Sequence, residues 1–179
     1  MSYRSVKNSI IKSIFILFIA GSILHFIYDL SGQNIIVGLF APVNESVWEH
    51  NKLAVLPIIL WWTIYYVRNK RKNRINKRKW FTGALVSVLV SIGTIPVLHY
   101  FFKGAFGVKS LVVDIIIFLL ALLFGQLLGF YLYNHSRGLN PYISIGLIIL
   151  IILIFIIFTL YPPHLPLFRD GPTGKYGIF

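Results

Sequence analysis

Two histidines and three carboxylates fall where the ends of apolar stretches meet short loops. His25 and Asp29 are four residues apart, so they share one face of a helix. Glu45, Glu49 and Lys52 follow an i, i+4, i+7 spacing, and Ser46 and His50 are again four apart on a neighbouring strip. Imidazole together with carboxylate suits a divalent cation such as Zn²⁺, Fe²⁺ or Mn²⁺, and with no cysteine in the chain nothing biases the choice towards thiolate sites. A catalytic zinc keeps three protein ligands and an open position, where it lowers the pKa of water and polarises a carbonyl or phosphoryl oxygen. The ligands expected on this basis are His25, Asp29, Glu49 and His50, with His164 as a further one. Glu45 is expected as general base, and Asn44 or Ser46 as the group that steadies an oxyanion.

Each of these residues also has a plain structural reading. Asn44 is a good helix N-cap, Glu45 and Asp114 near helix N-termini complement the helix dipole, and His25 with Asp29 can form a local pair. No H-E-x-x-H motif occurs, and the E-x-x-x-E-H of Glu45 to His50 differs from the E-x-x-H of di-iron bundles. Taken together the group favours a site, because ionisable residues at membrane depth need partners or a water-filled cavity.

Membrane depth follows from composition. Of 179 residues, 57% are hydrophobic and 12% are charged, and the mean hydropathy is +0.78. A soluble domain carries about 25% charged residues, so these are too few to coat a water-facing surface. Disordered and disulfide-rich secreted classes are excluded as well. The expected fold is an all-α transmembrane bundle, one domain over 1–179.

Five stretches are long and apolar enough to span about 30 Å of hydrocarbon: 10–30, 46–67, 82–102, 111–133 and 142–161. The first has a basic start but no small-residue cleavage site, so it reads as a retained helix. Gly125 and Gly129 in helix four, and the Gly83, Ser87 and Ser91 strip in helix three, read as packing positions. Pro57 and Pro96 are expected to kink helices two and three. Trp48, Trp61, Trp62 and Trp80 read as interfacial belt residues. The Ile-rich run 148–157 reads as lipid-facing.

The net charge of +12 is asymmetric along the chain. Segment 68–79 alone holds Arg68, Lys70, Arg71, Lys72, Arg74, Lys77, Arg78 and Lys79. It reads as a cytoplasmic loop that meets anionic lipid headgroups, not as a nucleic-acid site. With Arg4, Lys7, Lys12 and Arg137 inside, and Lys52, Lys103, Lys109, Arg169 and Lys175 outside, the N-terminus is expected inside and the C-terminus outside. All five carboxylates then lie on the outer side, with His25, His50, His99 and His164; only His135 is cytoplasmic. The segment 162–179 is too rich in Pro and Gly to be a helix and reads as an extracytoplasmic tail.

The stretches GLFAPVNESVWEH (38–50), PPHLPLFRDGPTGKYG (162–177) and HFIYDLSG (25–32) resemble a family of small bacterial polytopic membrane proteins without an assigned activity. That resemblance implies a multi-pass protein of a bacterial cell membrane. A weaker similarity is to the seven-helix membrane hydrolases that include alkaline ceramidases and progestin/adiponectin-type receptors. It implies zinc held by histidines, although Asn44 and His50 stand six apart here instead of four.

The function expected from the sequence is therefore a metal-dependent membrane hydrolase or transferase, most simply with zinc, acting at the outer leaflet on a lipid or lipid-linked substrate. The alternative is an ion or small-solute transporter, or a non-enzymatic membrane subunit, which would need to assemble as an oligomer.

Overall fold

The computed structural model describes residues 3–71, 75–108 and 110–178. Lys72 and Arg74 of the basic segment, and Lys109, lie outside the described residues. The described chain is all-α: α1 (Tyr3–Leu30), α2 (Ile35–Gly38), α3 (Val47–His50), α4 (Lys52–Asn69), α5 (Lys77–Phe106), α6 (Leu111–His135) and α7 (Pro141–Leu160), with a 3₁₀ turn at Pro166–Phe168. Four of these, α1, α5, α6 and α7, are long and apolar enough to cross a membrane, as in a multi-pass membrane protein.

Helix starts follow local chemistry. The side chains of Asn34, Ser46, Asn76 and Asn140 accept hydrogen bonds from the first-turn N–H groups of α2, α3, α5 and α7. Pro141 opens α7, where its missing N–H costs nothing. α5 ends on Gly107, whose φ of 64° is left-handed and lets the chain reverse into α6.

The stretch expected as one span from Ser46 divides into the single turn α3 and the helix α4, joined at Asn51. α4 has 18 residues with Lys52 and Arg68 near its ends, and it is not among the four long apolar helices. The loop between α1 and α3, expected as an apolar connection, contains the short helix α2.

α5 and α6 form the most extensive helix pair, α1 packs on α4 and α6, and α7 packs on α5. The small residues explain the closeness of the central pair. A Cβ added at Gly125 would stand 2.6 Å from the Ser87 carbonyl, and one at Gly129 would stand 2.5 Å from the Gly83 carbonyl. The hydroxyls of Ser87 and Ser91 donate to the carbonyls of Gly125 and Ala121, both at 2.9 Å. Pro57 and Pro96 both lie inside helices. On α7, Ile149, Leu150, Leu153 and Ile157 are exposed, as a lipid-facing side requires.

Two of the four tryptophans read as belt residues are packed inside the bundle. Trp62 and Trp80 are fully buried, and their rings stand 4.4 Å apart. Trp62 Nε1 donates to Gln126 Oε1 at 2.8 Å, and Trp80 Nε1 donates to the Trp62 carbonyl at 2.9 Å. Gln126 Nε2 in turn donates to Ser13 Oγ at 3.0 Å, so one amide links α1, α4 and α6. A buried indole finds an N–H acceptor inside the bundle as readily as at an interface. Trp48 stacks on Phe155 at 4.4 Å and packs at a tilt on Phe168 at 4.8 Å, joining α3, α7 and the 3₁₀ turn.

Candidate metal centre

The site is built on the loop between α2 and α3. Because the Ser46 hydroxyl caps α3 by accepting from Glu49 N–H, the helix begins after Glu45. Glu45 is therefore on the loop and does not share a helix face with Glu49. The two carboxylates go separate ways.

Glu49 turns inward and is buried with Lys52. Lys52 Nζ donates to Glu49 Oε2 at 2.6 Å, to the Gly38 carbonyl at 2.7 Å and to the Ala41 carbonyl at 3.2 Å, which uses all three of its N–H bonds. Glu49 Oε2 also accepts from Val43 N–H, and Oε1 accepts from Thr159 Oγ1. This pair fastens the 38–43 loop to α3, α4 and α7.

Glu45 turns outward, towards α1. Its Oε1 lies 3.6 Å from His25 Nε2, and its Oε2 lies 3.3 Å from His50 Nε2. The two imidazole rings stand 5.3 Å apart, and one ligand atom from each of His25, Glu45 and His50 lies within 4.8 Å of the others. Ligand atoms at 2.0–2.1 Å from a tetrahedral zinc are separated by about 3.3 Å. The spacings to Glu45 are close to that edge but run to its two separate oxygens. With one atom per residue the set is bounded only within 4.8 Å, so the side chains would draw in around an ion.

The tautomer of His50 adds a chemical requirement. Its Nδ1 lies 2.9 Å from the Ser46 carbonyl oxygen. A carbonyl can only accept, so Nδ1 carries the proton and donates. In the neutral ring Nε2 then presents a lone pair towards the Glu45 carboxylate. Two such acceptors 3.3 Å apart need a cation between them. Burial pushes the His50 pKa down, but the hydrogen bonds to Glu45 and the Ser46 carbonyl outweigh it and the net shift is upward, so a proton joins the pair unless a metal ion takes its place. A ring nitrogen that donates to a backbone carbonyl while the other is left free is the usual support of a histidine ligand. The imidazoles of His25, first, and His50 hold the Glu45 carboxyl well below its ordinary value of 4.5, against the opposing effect of burial.

The C-terminal segment closes around this loop. Buried Asp170 accepts from Glu45 N–H at 2.8 Å through Oδ1, and through Oδ2 from Thr173 N–H at 2.8 Å and Thr173 Oγ1 at 2.5 Å. Asn44 Nδ2 donates to the Gly177 carbonyl at 2.9 Å, and its Oδ1 accepts from Ser46 N–H. Asn44 and Ser46 thus stand beside the group with their polar atoms engaged in holding the loop and capping α3.

Of the expected ligands, the structure brings His25 and His50 together and adds Glu45, which the spacing assigned to a base. It does not bring Asp29, Glu49 or His164 to them. Asp29 is exposed one helical turn beyond His25. Glu49 is occupied by Lys52, Val43 and Thr159. His164 is exposed and packs on the Tyr176 ring at 4.7 Å.

A cavity of about 560 Å³ opens in front of the three residues. It is also lined by His99 and Asp114, whose Nδ1 and Oδ1 lie 3.1 Å apart. Their approach follows from the α5–α6 reversal at Gly107, which sets the end of one helix beside the start of the next. Lys103 and Arg169 also line the cavity. Sequence spacing did not single these two out, because nothing local links the end of α5 to the C-terminal segment.

A family profile described as a family of unknown function matches residues 1–178. The chain belongs to that family, DUF6512. No curated protein and no solved structure matches the chain. The similarity to alkaline ceramidases and progestin/adiponectin-type receptors thus finds no support in these comparisons.

Proposed function

We propose that this DUF6512 member is a metal-dependent membrane enzyme, a hydrolase or transferase, in which His25, Glu45 and His50 hold a divalent cation. The observation that carries this reading is the convergence of His25 Nε2 and His50 Nε2 on the Glu45 carboxylate, at 3.6 and 3.3 Å, with His50 Nδ1 tied to the Ser46 carbonyl. Two histidines and one glutamate are a donor set that zinc accepts, and three protein ligands leave a position open to the cavity. A cation there would supply Lewis acidity and an acidified water.

His99 takes the role of base. With Nδ1 donating to Asp114, its Nε2 is left as an acceptor in the same cavity. In hydrolysis of an ester, one water proton passes to His99 as the water oxygen bonds to the acyl carbon or phosphorus. The bond to the alcohol oxygen breaks, and the proton leaves with that alcohol. The apolar part of the cavity wall, with Leu53, Ile95, Phe102, Ile117 and Phe118, fits a lipid or lipid-linked substrate.

The proposed placement is a bacterial cell membrane, with α4 as a fifth crossing, the N-terminus and basic segment 68–79 inside against anionic lipid, and the site at the outer leaflet. Positive charge on the inner side supports that orientation.

The test is turnover by the purified full chain in detergent, on a panel of carboxylic and phosphoric esters of lipids. The reading expects hydrolysis of at least one class that is abolished by a chelator, restored by one equivalent of Zn²⁺, and lost in His99→Gln. Chelator-resistant turnover that survives His50→Ala contradicts it.

A further inference from the structure

The cavity's charges are unevenly partnered. Among the described residues, its formally charged lining residues are Glu45, Asp114, Lys103 and Arg169. Both acids have imidazole neighbours, Glu45 with His25 and His50, and Asp114 with His99. Neither Lys103 nor Arg169 forms an ion pair among the described residues. The Arg169 side chain donates from Nε to the Gly174 carbonyl at 3.3 Å, which aims the guanidinium without neutralising it. The formal charges of the described lining residues cancel with the histidines neutral, so a divalent cation on His25, Glu45 and His50 would add +2 to them.

The rim has the opposite character. Tyr100, Val108 and Leu111 line the cavity and are also exposed, Leu111 at 76%. The cavity thus shares exposed apolar residues with α5, α6 and the loop between them, and α5 and α6 are helices apolar enough to meet lipid.

We propose that the cavity binds a phosphate-headed amphiphile, with Lys103 and Arg169 on the phosphate and the apolar wall and rim on the chain. The inference rests on the enzymatic reading above and names its substrate class. A guanidinium presents paired N–H donors to two phosphate oxygens, and the lysine adds a point charge beside it. The open metal position faces the same head. A neutral diacylglycerol would satisfy the apolar wall but leave both cations without an anion. Free phosphate would satisfy the cations but leave the wall wet.

Calorimetric titration of the full chain in neutral detergent, with one equivalent of Zn²⁺ present, separates these ligands. The probes are dihexanoyl phosphatidic acid, dihexanoyl glycerol and inorganic phosphate. The phosphatidic acid is expected to bind at least about tenfold more tightly than either of the others, with the preference erased in the Lys103→Gln, Arg169→Gln double variant. Lys103→Arg, which keeps the charge, is expected to retain the preference, so a folding defect in the double variant cannot stand in for lost recognition. Equal affinity for the glyceride overturns anion recognition, and equal affinity for free phosphate overturns the amphiphile. A Co²⁺ titration of the unliganded wild-type chain runs in parallel. Cobalt bound without a headgroup preference removes only this inference, whereas a headgroup preference without cobalt binding removes only the metal centre.

Discussion

Glu45 and Glu49 are four residues apart on the same short segment, and their surroundings could hardly differ more. Glu49 and Lys52 are each almost fully buried, and every strong donor and acceptor on them is matched inside the protein. Glu45 is half-exposed, and two imidazole nitrogens approach its oxygens at 3.6 and 3.3 Å. The first arrangement is complete without a ligand and serves the fold. The second is open to the cavity, and in the proposed reading a cation completes it.

The comparison can be broken first at the closed pair. Lys52→Met leaves Glu49 buried without its counter-charge and frees the carbonyls of Gly38 and Ala41. Loss of one partner from a buried pair costs about 3–5 kcal/mol. A large drop in melting temperature in detergent is therefore expected, and an unchanged melting curve would show that the pair does not hold the loop.

The open group should behave in reverse. His25→Ala and His50→Ala are expected to abolish stoichiometric metal binding while lowering stability by only about 1 kcal/mol, the scale of one hydrogen bond. Metal content and thermal melting on the same samples check both halves. Variants that unfold like Lys52→Met would place these histidines with the structural residues.

The support behind Glu45 comes next. Asp170→Ala removes the acceptor for Glu45 N–H and for Thr173. Outer partners of a ligand typically account for 10–100-fold in metal affinity, so a loss in that range is expected by competition with a chromophoric chelator. The smallest effects belong to Asp29→Asn and His164→Ala, whose side chains lie away from the group. Their metal affinity should stay within about twofold of the parent, and a larger loss would restore them as ligands.

Much of the bundle was legible in the sequence because long apolar runs leave few alternatives to helices. The stretches starting at 82, 111 and 142 match α5, α6 and α7 to within a few residues. The second span was misread for a local reason. Asn44 looked like the N-cap, whereas Ser46 caps α3, and this two-residue difference takes Glu45 off the helix. The i, i+4 argument then paired Glu45 with Glu49, whereas the structure sets Glu49 against Lys52 and Glu45 against the two histidines. His25 and His50 were found because imidazoles at the ends of apolar helices are conspicuous. Arg169 and Asp170 were not, because their roles depend on the C-terminal segment folding back over the loop, and no local spacing records a contact across 125 residues. Trp62 and Trp80 illustrate the same limit, since residue type alone does not tell a membrane-interface indole from a buried one bonded to Gln126.

The central claim is a cation between His25, Glu45 and His50. Titration of the metal-free full chain with Co²⁺, followed by visible absorption, reads it directly. The account predicts ligand-field bands that saturate at one equivalent, vanish in His50→Ala and persist in Asp29→Asn. A spectrum no different from that of cobalt in buffer would mean that a proton alone joins His50 to Glu45, and the metal centre would be refuted.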